Sequence, residues 1–78
     1  MMEMSKVLAD IARAIVDDPD SVVVTETVEG DDVTLVLQVA ESDTGKVIGH
    51  HGKIAKAIRS VMKAVANTNG KRVTVEIQ

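Results

Sequence analysis

The chain has 78 residues and a net charge of −3, with no cysteine and no Phe, Tyr or Trp. That length allows one domain, residues 1–78, whose core must be built from Val, Ile, Leu, Ala and Met. A disulfide framework and thiolate metal sites are excluded, which suits a reducing, cytoplasmic setting. Modules that hold bases on aromatic faces are excluded too.

Residues 1–5 lack a basic segment followed by an apolar run, and no stretch approaches the ~20 apolar residues that cross a bilayer. Neither a secretory leader nor a membrane span is expected. Met4, Val7, Leu8, Ile11 and Ile15 recur at helical spacing, which predicts an amphipathic helix over residues 3–17. Asp17-Asp18-Pro19-Asp20 stops it, since proline cannot continue a helix and disfavours helical geometry in the residue before it. The β-branched run at 22–28 reads as a strand, and Glu29-Gly30-Asp31-Asp32 as a turn. Val33, Leu35, Leu37 and Val39 then alternate with more polar neighbours, giving a second strand and an antiparallel hairpin.

A short helix is expected over 42–48, broken by Gly49, and a longer one from Gly52 or Lys53. The longer helix places Ile54, Ile58, Val61, Met62 and Val65 on one apolar face, and Asn67-Thr68-Asn69-Gly70 ends it. Val73, Val75 and Ile77 form a closing strand. The order is αββααβ. A crossover through two helices sets the last strand beside the hairpin, so the expected fold is an α+β two-layer sandwich with a three-stranded mixed sheet and helices on one face.

Charge is divided along the chain. Residues 1–43 carry two cations and eleven acids, a balance of −9, whereas residues 44–75 carry seven cations and no acid. The positive segment contains Gly49-His50-His51-Gly52, preceded by Gly45-Lys46-Val47-Ile48 and followed by Lys53-Ile54-Ala55-Lys56. Two glycines two residues apart let a ligand backbone approach closely and permit positive φ. No Ser, Thr, Asp or Asn stands at 49–53 to cap the following helix, so its first amides are expected to point outward, where an anion suits them. Lys53 and Lys56 oppose the helix dipole there, a local conflict that a bound phosphate relieves.

Val47, Ile48 and Ile54 lie in register to line an aliphatic groove beside the loop, and Lys71 and Arg72 are placed to reach it from the last strand. Arg59 and Lys63 are expected to supply field rather than contacts. His50 and His51 have no third ligand at fitting spacing, so no metal is expected. The acids sit in turns and helix ends and read as solubilising. No nucleophile–base pair, carboxylate pair or nucleotide phosphate loop appears, so neither an enzyme nor a cofactor is expected. The pattern as a whole suits a single-stranded nucleic acid held without stacking.

The run from Gly45 to Arg59, the αββααβ order and the Asp-Pro-Asp turn resemble the type II KH domains, in particular the small bacterial RNA-binding proteins of the KhpA (YlqC) family. The G-x-x-G loop of KH domains clamps about four nucleotides of single-stranded RNA or DNA. The resemblance implies that Gly49, His50, His51 and Gly52 touch the nucleic-acid backbone, with Gly45, Lys46, Lys53 and Lys56 flanking them. It also implies that Val47, Ile48 and Ile54 form the groove and that the strand from Arg72 to Val75 forms its other wall. His-His stands where the family more often carries Lys, Arg or Gln, which implies binding that strengthens on mild acidification. Dimers are implied as well, with a second copy or with a larger KH-containing protein of the Jag type. The rival expectation is a dimerisation or scaffold module with residual nucleic-acid binding.

Overall fold

Alternation at 33, 35 and 37 becomes a strand whose odd positions are all buried, and the helices assemble over that face. In the computed structural model, which describes residues 3–78, the order is α1 (Met4–Ile15), β1 (Val23–Glu29), β2 (Asp32–Gln38), α2 (Thr44–Ile48), α3 (Lys53–Thr68) and β3 (Arg72–Ile77). The first two residues of the expected 1–78 domain lie outside the described residues. Single 3₁₀ turns at Pro19–Ser21, Glu41–Asp43 and His50–Gly52 join these elements.

β2 is the central strand. It pairs antiparallel with β1, Val24 opposite Leu37 and Glu26 opposite Leu35. It pairs parallel with β3, Val33 beside Val73, Leu35 beside Val75 and Leu37 beside Ile77. The sheet is thus mixed, with α2 and α3 forming the crossover. The αββααβ sandwich expected from periodicity is the observed fold.

The core joins Met4, Leu8, Ala9 and Ala12 of α1 to Val33, Leu35 and Leu37 of β2 and to Ile58, Met62 and Ala66 of α3. Alanines carry more of it than the sequence pattern implied. Val61, expected in the core, is 47% exposed, while Ala55 and Ala66 are buried. The buried stripe on α3 runs through 55, 58, 62 and 66, and the small residues at its edges let the helix lie close to its neighbours. Larger aliphatics, Ile54 and Val61, are displaced to the flank.

Two boundaries also differ from expectation. α1 ends at Ile15 rather than 17, because Val16 is already extended and the chain turns away toward α2. Asp17 and Asp18 therefore lie beyond the helix. α2 starts at Thr44, and residues 41–43 form a tighter turn ahead of it.

With so small a core, each fully buried side chain carries a large share of stability. Leu8→Ala, at a position with no exposure, is expected to lower unfolding free energy by about 2–5 kcal/mol. Val61→Ala on the flank is expected to change it by no more than about 0.5 kcal/mol. Urea denaturation followed by circular dichroism measures both.

Candidate nucleic-acid interface

The glycine loop is built by two glycines with different tasks. Gly49 terminates α2 at φ 77°, ψ 176°, a region essentially reserved for glycine. A Cβ at that position would lie 2.5 Å from Ile54 Cγ1 and 2.8 Å from Ile54 Cβ, so the chain at Gly49 rests directly on the first turn of α3. Gly52 has left-handed geometry at φ 73°, ψ 13°, yet a Cβ there would meet nothing within 4 Å. Gly49 is required by packing; Gly52 keeps the outer surface of the loop open.

Between them, His51 is also left-handed, at φ 56° and ψ 26°. The two imidazoles are exposed, with ring centroids 3.9 Å apart and planes inclined by 61°. The turn uses the amides of Gly52 and Lys53 internally, on the carbonyls of Gly49 and His50. No side chain caps α3, as the missing Ser, Thr, Asp and Asn at 49–53 implied.

Ahead of the loop, Asp43 is 1% exposed. Its carboxylate accepts the Asp17 amide at 3.2 Å, the Asp18 amide at 3.0 Å and Lys46 Nζ at 3.4 Å. Lys46 Nζ also lies 3.0 Å from Asp17 Oδ2. Burial pushes the Asp43 carboxyl up, but the Asp18 and Asp17 amides and Lys46 together outweigh it and hold it below the ordinary carboxylate value. The Asp17 carboxylate, and then Asp43, hold Lys46 above the usual lysine value. Asp43 is therefore a structural anchor rather than a solubilising acid, and Lys46 is tied to two acids beside the loop.

The structure separates residues expected to share one groove. Val47 is wholly buried, whereas Ile48 is 40% and Ile54 36% exposed. Ile54 belongs to an apolar trough of about 500 Å³ between α3 and α1, lined with Ile11, Ile15, Ala57, Ile58 and Val61 and edged by Lys53. On the opposite flank of α3, Arg59 and Lys63 face Val73, Thr74 and Val75 of β3 across a second groove of about 260 Å³. Gly45, Lys46, Gly49, His50, His51, Gly52 and Lys53 are brought together at the loop end of α3. Arg72 is not: it pairs with Asp32 at 2.7 Å beyond the other end of α3, roughly 20 Å away at 1.5 Å per helical residue. Lys71 is likewise held, 3.2 Å from Asp31.

A family profile described as "KhpA/KhpB, KH domain" matches residues 5–77. The chain belongs to the KhpA/KhpB KH-domain family. It is 51% identical to RNA-binding protein KhpA of Clostridium acetobutylicum, over 95% of this chain and 99% of that one. It is 47% identical to the KhpA of Caldanaerobacter subterraneus, over 95% and 99%, and 39% identical to that of Listeria monocytogenes, over 95% and 97%. In the crystal structure of Aquifex aeolicus Era, a stretch covering 29% of that protein superposes on 95% of this chain with TM-score 0.68 and 19% identity. That likeness is one of fold.

Arg59 and Lys63, expected to supply field only, line the groove beside β3. Lys56, Arg59 and Lys63 follow one another at i, i+3 and i+7, the spacing of a single helix flank, and that periodicity was the available signal. Lys53, Lys56, Arg59 and Lys63 form no ion pair among the described residues, unlike Lys46, Lys71 and Arg72.

Two outcomes follow from the loop and its anchor. Gly52→Ala pays only for left-handed backbone, about 1–2 kcal/mol, and Gly49→Ala is expected to cost more, with the excess reduced when Ile54→Ala removes the clashing branch. Thermal melts of the two single variants and the Gly49–Ile54 double variant measure this. Because the folded Asp43 pKa is depressed, its stabilisation is present above the ordinary carboxylate pKa of about 3.9 and is lost as pH falls through the lower folded value. Asp43→Asn should thus melt below wild type at pH 7, the gap narrowing toward pH 3; a constant gap would contradict the charged anchor.

Proposed function

We propose that this chain is a non-enzymatic, cytoplasmic RNA-binding module. Residues 1–78 act as one KH domain that grips short single-stranded RNA, or single-stranded DNA. The observation that carries the reading is the Gly49–Gly52 loop, open on its outer surface at Gly52 and set at the head of a helix with four cations that form no ion pair among the described residues. The KhpA relatives carry the name RNA-binding protein, which supports the same reading.

The sugar-phosphate backbone passes over Gly49, His50, His51 and Gly52, with Lys53 and Lys56 drawing the phosphates. Lys46, shared with Asp17 and Asp43, contributes chiefly by fixing the loop. Bases then lie along the groove between α3 and β3. Limited sequence choice and modest affinity follow from the absence of stacking rings.

Converting His50 and His51 together to Asp sets two negative charges against the phosphates and spares the fold, since aspartate tolerates the left-handed geometry of position 51. RNA affinity by fluorescence anisotropy is expected to fall about tenfold or more, and unchanged affinity would refute the clamp. Wild-type affinity is expected to decline with salt, with a shallow slope set by about three or four phosphates.

A second reading has its own observation. The trough of Ile11, Ile15, Ile54, Ala57 and Val61 is apolar and open, which suits a second copy of the chain or a larger KH-containing protein of the Jag type. If the trough is a dimer seam, Val61→Glu yields monomers in multi-angle light scattering where wild type yields dimers.

A further inference from the structure

Lys46 has two acceptors of unlike character. Asp43, 3.4 Å from its Nζ, is buried and also accepts the amides of Asp17 and Asp18. That carboxylate cannot part from the ammonium without leaving a buried charge short of a partner. Asp17 Oδ2 is closer, at 3.0 Å, yet its side chain is 80% exposed and forms no other ion pair among the described residues. Its backbone is nonetheless pinned, because the Asp17 amide donates to Asp43 Oδ1, the same oxygen that accepts Lys46. One buried oxygen therefore delivers both halves of an exposed pair to each other.

The two acceptors differ in what their release costs. Lys46 carries three donors on a flexible stem, so it can keep Asp43 while another donor changes acceptor. Letting go of Asp17 returns to water a carboxylate that water already surrounds, and an exposed pair of this kind contributes little stability. A phosphate oxygen offers the same sign of charge and the same charge-assisted hydrogen bond. Lys46 stands three residues before Gly49, on the helix that leads into the glycine loop, so a strand crossing the loop passes the end of that helix. Lys53 and Lys56, on the other side of the loop, have no internal carboxylate among the described residues.

We infer that Asp17 is an internal stand-in for phosphate that sets the affinity of the glycine loop. When RNA crosses the loop, Lys46 keeps its bond to Asp43, leaves Asp17 and takes a phosphate oxygen. The loop stays anchored throughout, since the buried half of the network does not change. Asp17 thus competes with the ligand from within the same chain, and its exposed carboxylate weakens binding without holding the fold. This inference rests on the single-stranded RNA reading above and adds to it a residue that restrains the affinity.

The experiment uses the full chain and a fluorescein-labelled uridine octamer, with binding measured by anisotropy. Asp17→Asn keeps the backbone amide that Asp43 accepts, and is expected to bind about two- to fivefold tighter than wild type. Asp20→Asn removes the same charge from the same connection at a side chain with no ion pair among the described residues, and is expected to change affinity by less than that. Lys46→Met is expected to abolish the gain from Asp17→Asn, which separates competition for Lys46 from a general loss of negative field. If Asp17→Asn binds no tighter than wild type or than Asp20→Asn, or if its gain survives in the Lys46→Met background, the competitor role is overturned and the RNA-binding reading stands. The comparison with Asp20→Asn decides the matter by itself should Lys46→Met fail to fold, as circular dichroism would show. Absence of octamer binding by wild type and by Asp17→Asn alike overturns both.

Discussion

A single buried carboxylate holds the segments that place the glycine loop. Asp43 accepts amides from the α1–β1 connection and a charged hydrogen bond from Lys46 of α2, so one side chain joins two stretches about 25 residues apart in sequence. A buried anion is tolerable only when its lone pairs are filled, and here two amides and an ammonium fill them. The connection leaves α1 at Val16 in order to reach this partner. α2 is only five residues long and could not hold its own direction. Its orientation comes from Asp43 at its start, from wholly buried Val47 in its middle and from Gly49 lying on Ile54 at its end. The loop inherits that orientation and is preorganised by it.

α3 divides its circumference among three tasks. Ala55, Ile58, Met62 and Ala66 face the sheet, Ile54, Ala57 and Val61 face the trough toward α1, and Lys56, Arg59 and Lys63 share the flank toward β3. The division needs small residues in the buried stripe, since bulkier ones would push the helix outward and merge the two grooves. It also keeps the cationic flank and the apolar trough on separate sides of one helix.

Strong periodicities made the fold legible. The alternation at 33, 35 and 37, the proline at 19 and the glycines at 49, 52 and 70 mark every element to within two or three residues. What the sequence pattern hid depends on tertiary phase. A 16-residue helix rotates about 100° per residue, so assigning Ile54 and Val61 to the core rather than to a flank requires knowing where the sheet lies. Alanines 55 and 66 look neutral in a hydrophobic pattern, yet they mark the closest approach. Asp43 looked like any turn acid, because the amides that justify its burial come from residues 17 and 18. Arg59 looked like one more exposed cation until the open edge of β3 was seen beside it.

The same folding resolves the conflict between a net negative chain and a polyanionic partner. Several acids of the first half fold back onto particular cations of the second half. Asp17 and Asp43 take Lys46, Asp31 takes Lys71, and Asp32 takes Arg72. The cations left without ion pairs among the described residues, Lys53, Lys56, Arg59 and Lys63, all belong to α3 and span about 15 Å of it. Screening confines each charge to about 8–10 Å at ordinary salt. The positive row along α3 is therefore felt locally more strongly than the paired acids, so an acidic protein can present a basic helix.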